Sequence, residues 1–174
     1  LNGVVNNSGT VVLTTGTVAS LDNNAASPLD RGDVDVGGDV TVTGGITNAG
    51  DLDVNTGTLT VTTGTLNNET GGILTIADGA SAVADVITNV GTISVGAGST
   101  LEGTANTLNN TGTIDVGTNG IVTDAGDINN NAGGIINFNG PAGAPGTSAS
   151  LNAGGVGPGT IDNATATSEI NVVA

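Results

Sequence analysis

A pattern of glycine followed by alternating apolar residues recurs along nearly the whole chain. Each copy reads Gly-x-apolar-x-apolar, as in Gly50-Asp-Leu52-Asp-Val54, and successive copies begin about 21 residues apart on average. A repeat of this length is typical of proteins in which each unit cannot bury its apolar face alone and stacks on its neighbours. Seven copies begin at Gly9, Gly32, Gly50, Gly72, Gly91, Gly112 and Gly134, and an eighth, at Ser168, has lost its glycine.

A second motif, apolar-x-Asn, comes before each of these copies. Because side chains two residues apart on a strand point to the same face, the asparagine should follow its apolar partner inward at a turn. Stacked amides could then hydrogen-bond from one repeat to the next as a ladder. The alternative is that these asparagines only favour turns and face solvent. The eight residues are Asn7, Asn23, Asn48, Asn68, Asn89, Asn110, Asn130 and Asn163.

A looser third strand follows the glycine motif in several repeats, as in Thr58-Leu-Thr-Val-Thr62. Three short strands per repeat are what one coil of a β-solenoid requires, because the next coil, about 4.8 Å away, completes both the hydrogen bonds and the core. The sequence therefore predicts an all-β chain: a parallel β-solenoid with three sheets and about eight coils of 20–21 residues, forming one domain over residues 1–174. Glycine and asparagine at the corners are expected to supply positive φ angles.

Two segments interrupt the rhythm of the repeat. Residues 24–31 lengthen one corner, and residues 140–159 are rich in glycine, proline, alanine and serine. Insertions of this kind usually leave a solenoid as loops on one side, so a loop is predicted at 140–159, before the last coil. A structureless linker fits the same composition.

The composition excludes several kinds of chemistry. The chain has no Cys or His and a single cation, Arg31, which rules out a Ser-His-Asp triad, a lysine Schiff base and thiolate chemistry. A net charge of −15 argues against nucleic acid as a partner, because phosphate binding needs clustered lysine and arginine. The apolar runs are only a few residues long, so membrane insertion by this segment is not expected.

The stretches Ile87-Thr-Asn-Val-Gly-Thr-Ile-Ser-Val95 and Leu108-Asn-Asn-Thr-Gly-Thr-Ile-Asp-Val116 resemble the coils of secreted bacterial β-helix proteins. The nearest families are autotransporter passenger domains and filamentous-haemagglutinin-like adhesins. The resemblance implies a right-handed parallel β-helix, located outside the cell or on the bacterial cell surface. It also implies a role in cell adhesion, aggregation or biofilm formation.

The function expected from this resemblance is that of a non-enzymatic structural or adhesive segment of a secreted bacterial surface protein. Its partners would be other copies of itself or a host or neighbouring cell surface. The alternative is an extracellular filament subunit that assembles by end-to-end stacking of coils. Other parallel β-helices degrade pectin, but this chain lacks a second cation to hold an anionic sugar polymer and lacks tryptophan and tyrosine to stack on it. Because a fold does not imply a function, no enzymatic activity is expected.

The sharpest candidate site is a group of aspartates in the second and third repeats. Alignment of the repeats places Asp33 beside Asp51 and Asp35 beside Asp53, all at outward positions. Like charges at strand spacing repel unless a cation compensates, and several carboxylate oxygens suit Ca²⁺. The interpretation is a calcium site across the two coils, and the alternative is a solvated acidic face.

Arg31, Gly32 and Asp33 spell the tripeptide that integrins recognise. The residues have a simpler explanation, because Gly32 and Asp33 already occupy regular positions of the repeat. Arg31 would in that case neutralise neighbouring carboxylates.

Overall fold

The computed structural model describes residues 3–24, 31–105, 107–139, 149–154, 160–163 and 168–173. These residues form 21 β-strands, and no helix occurs among them. In the described part of the chain, therefore, no helix has the length and hydropathy that crossing a bilayer requires.

The strands follow one another in triplets, one triplet to a coil. The first three coils are β1 (Val4–Asn7), β2 (Thr10–Leu13) and β3 (Gly16–Val18); β4 (Ser20–Asn23), β5 (Asp33–Gly37) and β6 (Val40–Val42); and β7 (Ile46–Asn48), β8 (Asp51–Thr56) and the first half of β9 (Thr58–Asn68). The next two are the rest of β9, β10 (Ile73–Ile76) and the first half of β11 (Ser81–Asn89); and the rest of β11, β12 (Thr92–Val95) and β13 (Thr100–Gly103). The remaining strands are β14 (Thr107–Asn110), β15 (Thr113–Val116) and β16 (Ile121–Asp124); β17 (Asp127–Asn130), β18 (Ile135–Asn139) and β19 (Ser150–Ala153); and β20 (Ile161–Asn163) and β21 (Glu169–Val173).

The strands that carry the glycine motif stack into one parallel sheet of eight strands, in the order β2-β5-β8-β10-β12-β15-β18-β21. The register keeps equivalent residues of the repeat in line, since Leu52 pairs with Leu74 and Leu74 with Ile93. Each strand thus lies on the strand one repeat earlier, which is the stacking that defines a solenoid. The predicted all-β parallel β-solenoid is confirmed.

The other two faces join into a single sheet of 13 strands, so three faces are made by two hydrogen-bonded sheets. The join occurs because β9 and β11 run round the corner without interruption. In β9 the corner is Gly64, whose φ of 112° lies outside the range that other residues readily adopt. Seven triplets are complete and β20 and β21 begin an eighth, so the complete turns are slightly fewer than the eight predicted. The right-handed sense of the coil stays a prediction.

The core is a narrow column of aliphatic side chains. Along the strands of the central coils the buried residues alternate with half-exposed ones, and Leu52, Ile93 and Ile114 are each 0% exposed. Fully burying one such side chain contributes roughly 1.5–3 kcal/mol. Valine, leucine, isoleucine and alanine fill this interior almost without aromatic residues. The only phenylalanine of the chain, Phe138, lies in the seventh coil.

The two interruptions fall largely outside the described residues. Positions 25–30 of the lengthened corner and positions 140–148 and 155–159 of the predicted loop are among those not described. The loop prediction is wrong for Ser150–Ala153, which form β19 and pair in parallel with Ile121–Asp124. The physical reason is that Leu151 and Ala153 continue the period-two alternation of the third strand, which the surrounding glycines and prolines obscure.

Candidate functional site

The eight predicted asparagines lie in one hydrogen-bonded row along the solenoid. Each stands at the end of its strand, at the last inward position, and each of the first seven donates from Nδ2 to Oδ1 of the asparagine one coil later. The eighth, Asn163, donates to the backbone carbonyl of Ser168. The first seven are buried, so the solvent-facing alternative is wrong for them, whereas Asn163 is exposed although it accepts from Asn130. The donor–acceptor distances in the row are 2.9, 2.8, 2.8, 2.8, 2.8, 2.8 and 2.9 Å.

The second proton of each amide goes to a backbone carbonyl. Asn89 Nδ2, for example, donates to Thr113 O at 3.0 Å, and Asn48 Nδ2 donates to Ile73 O at 2.9 Å, both in the next coil. A buried amide without partners would cost about 1–3 kcal/mol, so these bonds are what allows the row to lie inside the core. All the donors point towards the C-terminal coils, which gives the row a direction.

The glycine of each motif sits directly beside this row. A Cβ at Gly50 would overlap the carbonyl oxygen of Gly32, and a Cβ at Gly112 would overlap that of Gly91. These motif glycines do not have positive φ, so the expectation that corner glycines serve backbone conformation is wrong for them. From Gly32 to Gly134 they are needed because successive coils approach too closely at this turn for a side chain, whereas a Cβ at Gly9, in the first coil, would meet nothing within 4 Å. Positive φ occurs at other corners instead, at Gly57 among them.

The aspartates of the second and third coils are brought together only in part. One carboxylate oxygen from each of Asp33, Asp35 and Asp53 lies within 4.8 Å of the others, on the outer face of the eight-stranded sheet. All three side chains are half-buried. Burial raises the pKa of Asp33, and the neighbouring charges of Asp35, Asp53 and Asp51 raise it further. The group therefore carries unrelieved like-charge repulsion.

Asp51 belongs to a different contact. Its Oδ1 accepts a hydrogen bond from Arg31 Nη1 at 3.1 Å, and the two side chains are 38% and 33% exposed. Of the four carboxylates predicted from the sequence, three thus lie together, while Asp51 pairs with the chain's single arginine. An exposed pair of this kind adds little stability.

The Arg31-Gly32-Asp33 tripeptide is built into the solenoid. Gly32 is buried, and its carbonyl accepts from Asn23 Nδ2 and from the backbone N–H of Asp51. The backbone N–H of Asp33 donates to Gly9 O. This arrangement favours the interpretation of these residues as regular positions of the repeat, and integrin contact stays a prediction.

Calcium binding at Asp33, Asp35 and Asp53 stays a prediction, and titration calorimetry checks it. Wild-type protein is expected to release or absorb heat on addition of Ca²⁺, because the ion relieves the repulsion among the three carboxylates. The double variant Asp35→Asn/Asp53→Asn should give no binding heat. The control Asp115→Asn, at an outward position of the same sheet three coils away, should bind as wild type does. Absence of heat with wild type would leave the solvated acidic face as the correct interpretation.

An open cleft of about 460 Å³ crosses the corner next to the asparagine row. It lies where two longer corners, 69–71 and 131–133, flank the one-residue corners at Val90 and Thr111. Arg31, Thr92 and Thr113 are among the residues that line it. The cleft offers hydrogen-bonding groups and one positive charge on an otherwise acidic chain.

Sequence reasoning missed one buried ionisable residue, Asp124. The signal was present, because Asp124 follows Val122 by two positions and must share its inward face. An aspartate at the end of a strand is usually interpreted as a turn residue, so the sequence did not predict that this one is buried.

The chain matches no family model, no curated protein and no solved structure.

Proposed function

We propose that the chain is a non-enzymatic, rod-like segment of a secreted bacterial surface protein, serving as a structural spacer that presents adhesive faces. The observation that carries the proposal is the unbroken coil-to-coil stack, with the apolar positions of the glycine motif kept in line from β2 to β21. Eight strands at a spacing of about 4.8 Å give a rod about 34 Å long from first to last. A stack of this kind separates what lies at its two ends by a fixed distance.

Two features support a stiff rod. The aliphatic core is continuous from Leu13 to Phe138, and the asparagine row adds one buried amide hydrogen bond at every step. Bending the rod would open both together, because each coil contacts mainly the coils on either side of it. Core packing and directional hydrogen bonds would therefore both resist bending of such a spacer.

The outer faces support a role in contact with other surfaces. On the eight-stranded sheet the outward positions hold short polar residues such as Thr75, Ser94 and Asp115. Ranks of short side chains on parallel strands suit close contact with another extended surface. The partners proposed are other copies of this chain or a host or neighbouring cell surface, and the location proposed is extracellular.

A bead-retention assay tests the adhesive part of the proposal. Beads coated with wild-type protein should be retained on cell layers or on bacterial cells several-fold more than uncoated beads. Beads coated with Ile114→Asp, in which the coil stack is disrupted, should fall to the uncoated level. The control Thr113→Asp adds the same charge at an outward position of the same strand. The retention of its beads therefore measures the effect of the added charge without disruption of the stack. Wild-type beads retained no better than uncoated ones on every surface would contradict adhesion.

The direction of the asparagine row favours a second candidate, a filament subunit that grows by end-to-end stacking. Because every amide donates towards the later coils, donors face one way along the rod and acceptors the other. A copy added head to tail would continue the row without a mismatch. Electron microscopy over a concentration series separates the candidates: short rods at every concentration support the spacer, and fibres that lengthen with concentration support the filament.

A further inference from the structure

A carboxyl group lies inside the aliphatic core near the end of the third face. Asp124 is 0% exposed and occupies the last inward position of β16, two residues after the buried Val122. Its pairing partners are Gly103 in the coil before and Ala153 in the coil after. Earlier coils place Val61 and Ala84 in this same column.

The two oxygens of Asp124 have different surroundings. Oδ1 accepts a hydrogen bond from the backbone N–H of Gly126 at 2.7 Å. Oδ2 is buried and has no partner among the described residues. It occupies the space that a side chain at position 103 would fill, because a Cβ on Gly103 would overlap it. Position 103 can only be a glycine here, because the Asp124 carboxyl occupies the space that a side chain would need.

No positive charge is near enough to stabilise an ionised Asp124. The only cation among the side chains, Arg31, lies four coils earlier, about 19 Å away by strand spacing, and is paired with Asp51. The titratable groups on the elements packed against Asp124 are themselves acidic: Glu102 at an outward position of β13 and Asp127 on β17, while β19 has none. Burial raises the pKa of Asp124, the Gly126 N–H opposes this, and the charge of Asp127 adds to it.

We propose that the Asp124 carboxyl is a pH-operated latch, which holds β19 on the solenoid while protonated and loosens it on ionisation. The strand β19 pairs only with β16 among the described strands, so its attachment depends on the packing around Asp124. Backbone hydrogen bonds attach both ends of β19 beside β16: Gly154 N–H donates to Asp124 O at 2.9 Å, and Ser150 N–H donates to Gly120 O at 2.9 Å. An ionised, unpaired carboxylate between Gly103 and Ala153 would draw water into this site.

The sign of the effect follows from proton linkage. Because the folded-state pKa of Asp124 lies above its unfolded value, the folded chain holds the proton over a pH range in which the unfolded chain has released it. The stability contributed by the protonated group is complete below the unfolded pKa and is lost as pH rises through the folded pKa. The latch therefore loosens with rising pH.

Thermal melting of Asp124→Ala against wild type, at pH 4 and pH 8, tests the latch. Alanine already occupies the column at Ala84 and Ala153, so the variant can pack there without a charge. Its melting temperature relative to wild type should rise by about 3 °C or more between pH 4 and pH 8, because only the wild type loses the stability of the protonated carboxyl as the pH rises. For the control Asp22→Ala, at an outward position of β4, the melting temperature relative to wild type should be the same at both pH values.

Two direct measurements on the wild type complete the test. Carbon-detected NMR titration of the Asp124 carboxyl should give a pKa above that of an ordinary aspartate, and amides of 150–154 should lose protection in step with the titration. An Asp124 pKa at or below the ordinary aspartate value would overturn the latch. So would a temperature difference between variant and wild type that is the same at both pH values, or protection of 150–154 that does not follow the titration.

Discussion

Replacement of Ile114 by aspartate is expected to unfold several coils at once. Ile114 is 0% exposed on β15 and pairs with Ile93 before it and Ile136 after it. A carboxylate at this point would have no partner and no access to water, which costs more than about 4 kcal/mol. Because a domain is stable by only about 5–15 kcal/mol, the variant should lose most of its stability. Urea unfolding followed by far-UV circular dichroism measures the loss.

Thr113→Asp is the matched control for this prediction. It adds the same charge to the same strand one residue earlier, on the outward face. Its free energy of unfolding should differ from wild type by less than about 1 kcal/mol. If Ile114→Asp unfolded at the same urea concentration as Thr113→Asp, the inward assignment of the repeat would be wrong.

Removal of one amide from the middle of the asparagine row is expected to cost about 3 kcal/mol. Asn110→Ala takes away the acceptor of Asn89 Nδ2 and the donor to Asn130 Oδ1, both at 2.8 Å. It also removes a donor to the carbonyl of Ile135, at 3.2 Å. The two neighbouring amides then remain buried with incomplete hydrogen bonding, and the cost of each adds to the cavity left by the side chain.

Asn109→Ala provides the comparison for this second variant. Asn109 precedes Asn110 on β14 but lies on the outward face, where it accepts a weaker bond of 3.3 Å from Asn129. Its loss should change the free energy of unfolding by about 0.5 kcal/mol. Equal effects of the two substitutions, measured by urea unfolding, would mean that the buried row contributes nothing beyond turn formation.

Much of the fold could be predicted because alternation and repetition act together. A period of two places Leu52 and Val54 on one face, and a repeat of about 21 residues places equivalent pairs one above the other. The inward position of the asparagines follows from the same alternation, since Asn89 stands two residues after Ile87. Local pattern and global stacking agree at these positions, so the sequence pattern alone predicts which side chains point inward.

Other features depend on which residues meet across coils, and alternation does not reveal this. The pairing of Arg31 with Asp51 requires the corner geometry, and the need for Gly112 becomes visible only when the carbonyl of Gly91 is found against it. The strand at Ser150–Ala153 is set by its partner β16 rather than by its own flanks. Asp124 was missed for a related reason, because the space for its carboxyl is made by Gly103 in another coil.

The most direct test of the account is to detect the hydrogen bonds of the asparagine row in solution. NMR couplings across hydrogen bonds should connect the side-chain amide of Asn89 to that of Asn110, and that of Asn110 to Asn130, with slow solvent exchange of all three amides. Connections of this kind require each coil to lie directly on the previous one, in the register that the row defines. Side-chain amides that exchange freely with water and show no coupling from coil to coil would contradict the stacked solenoid.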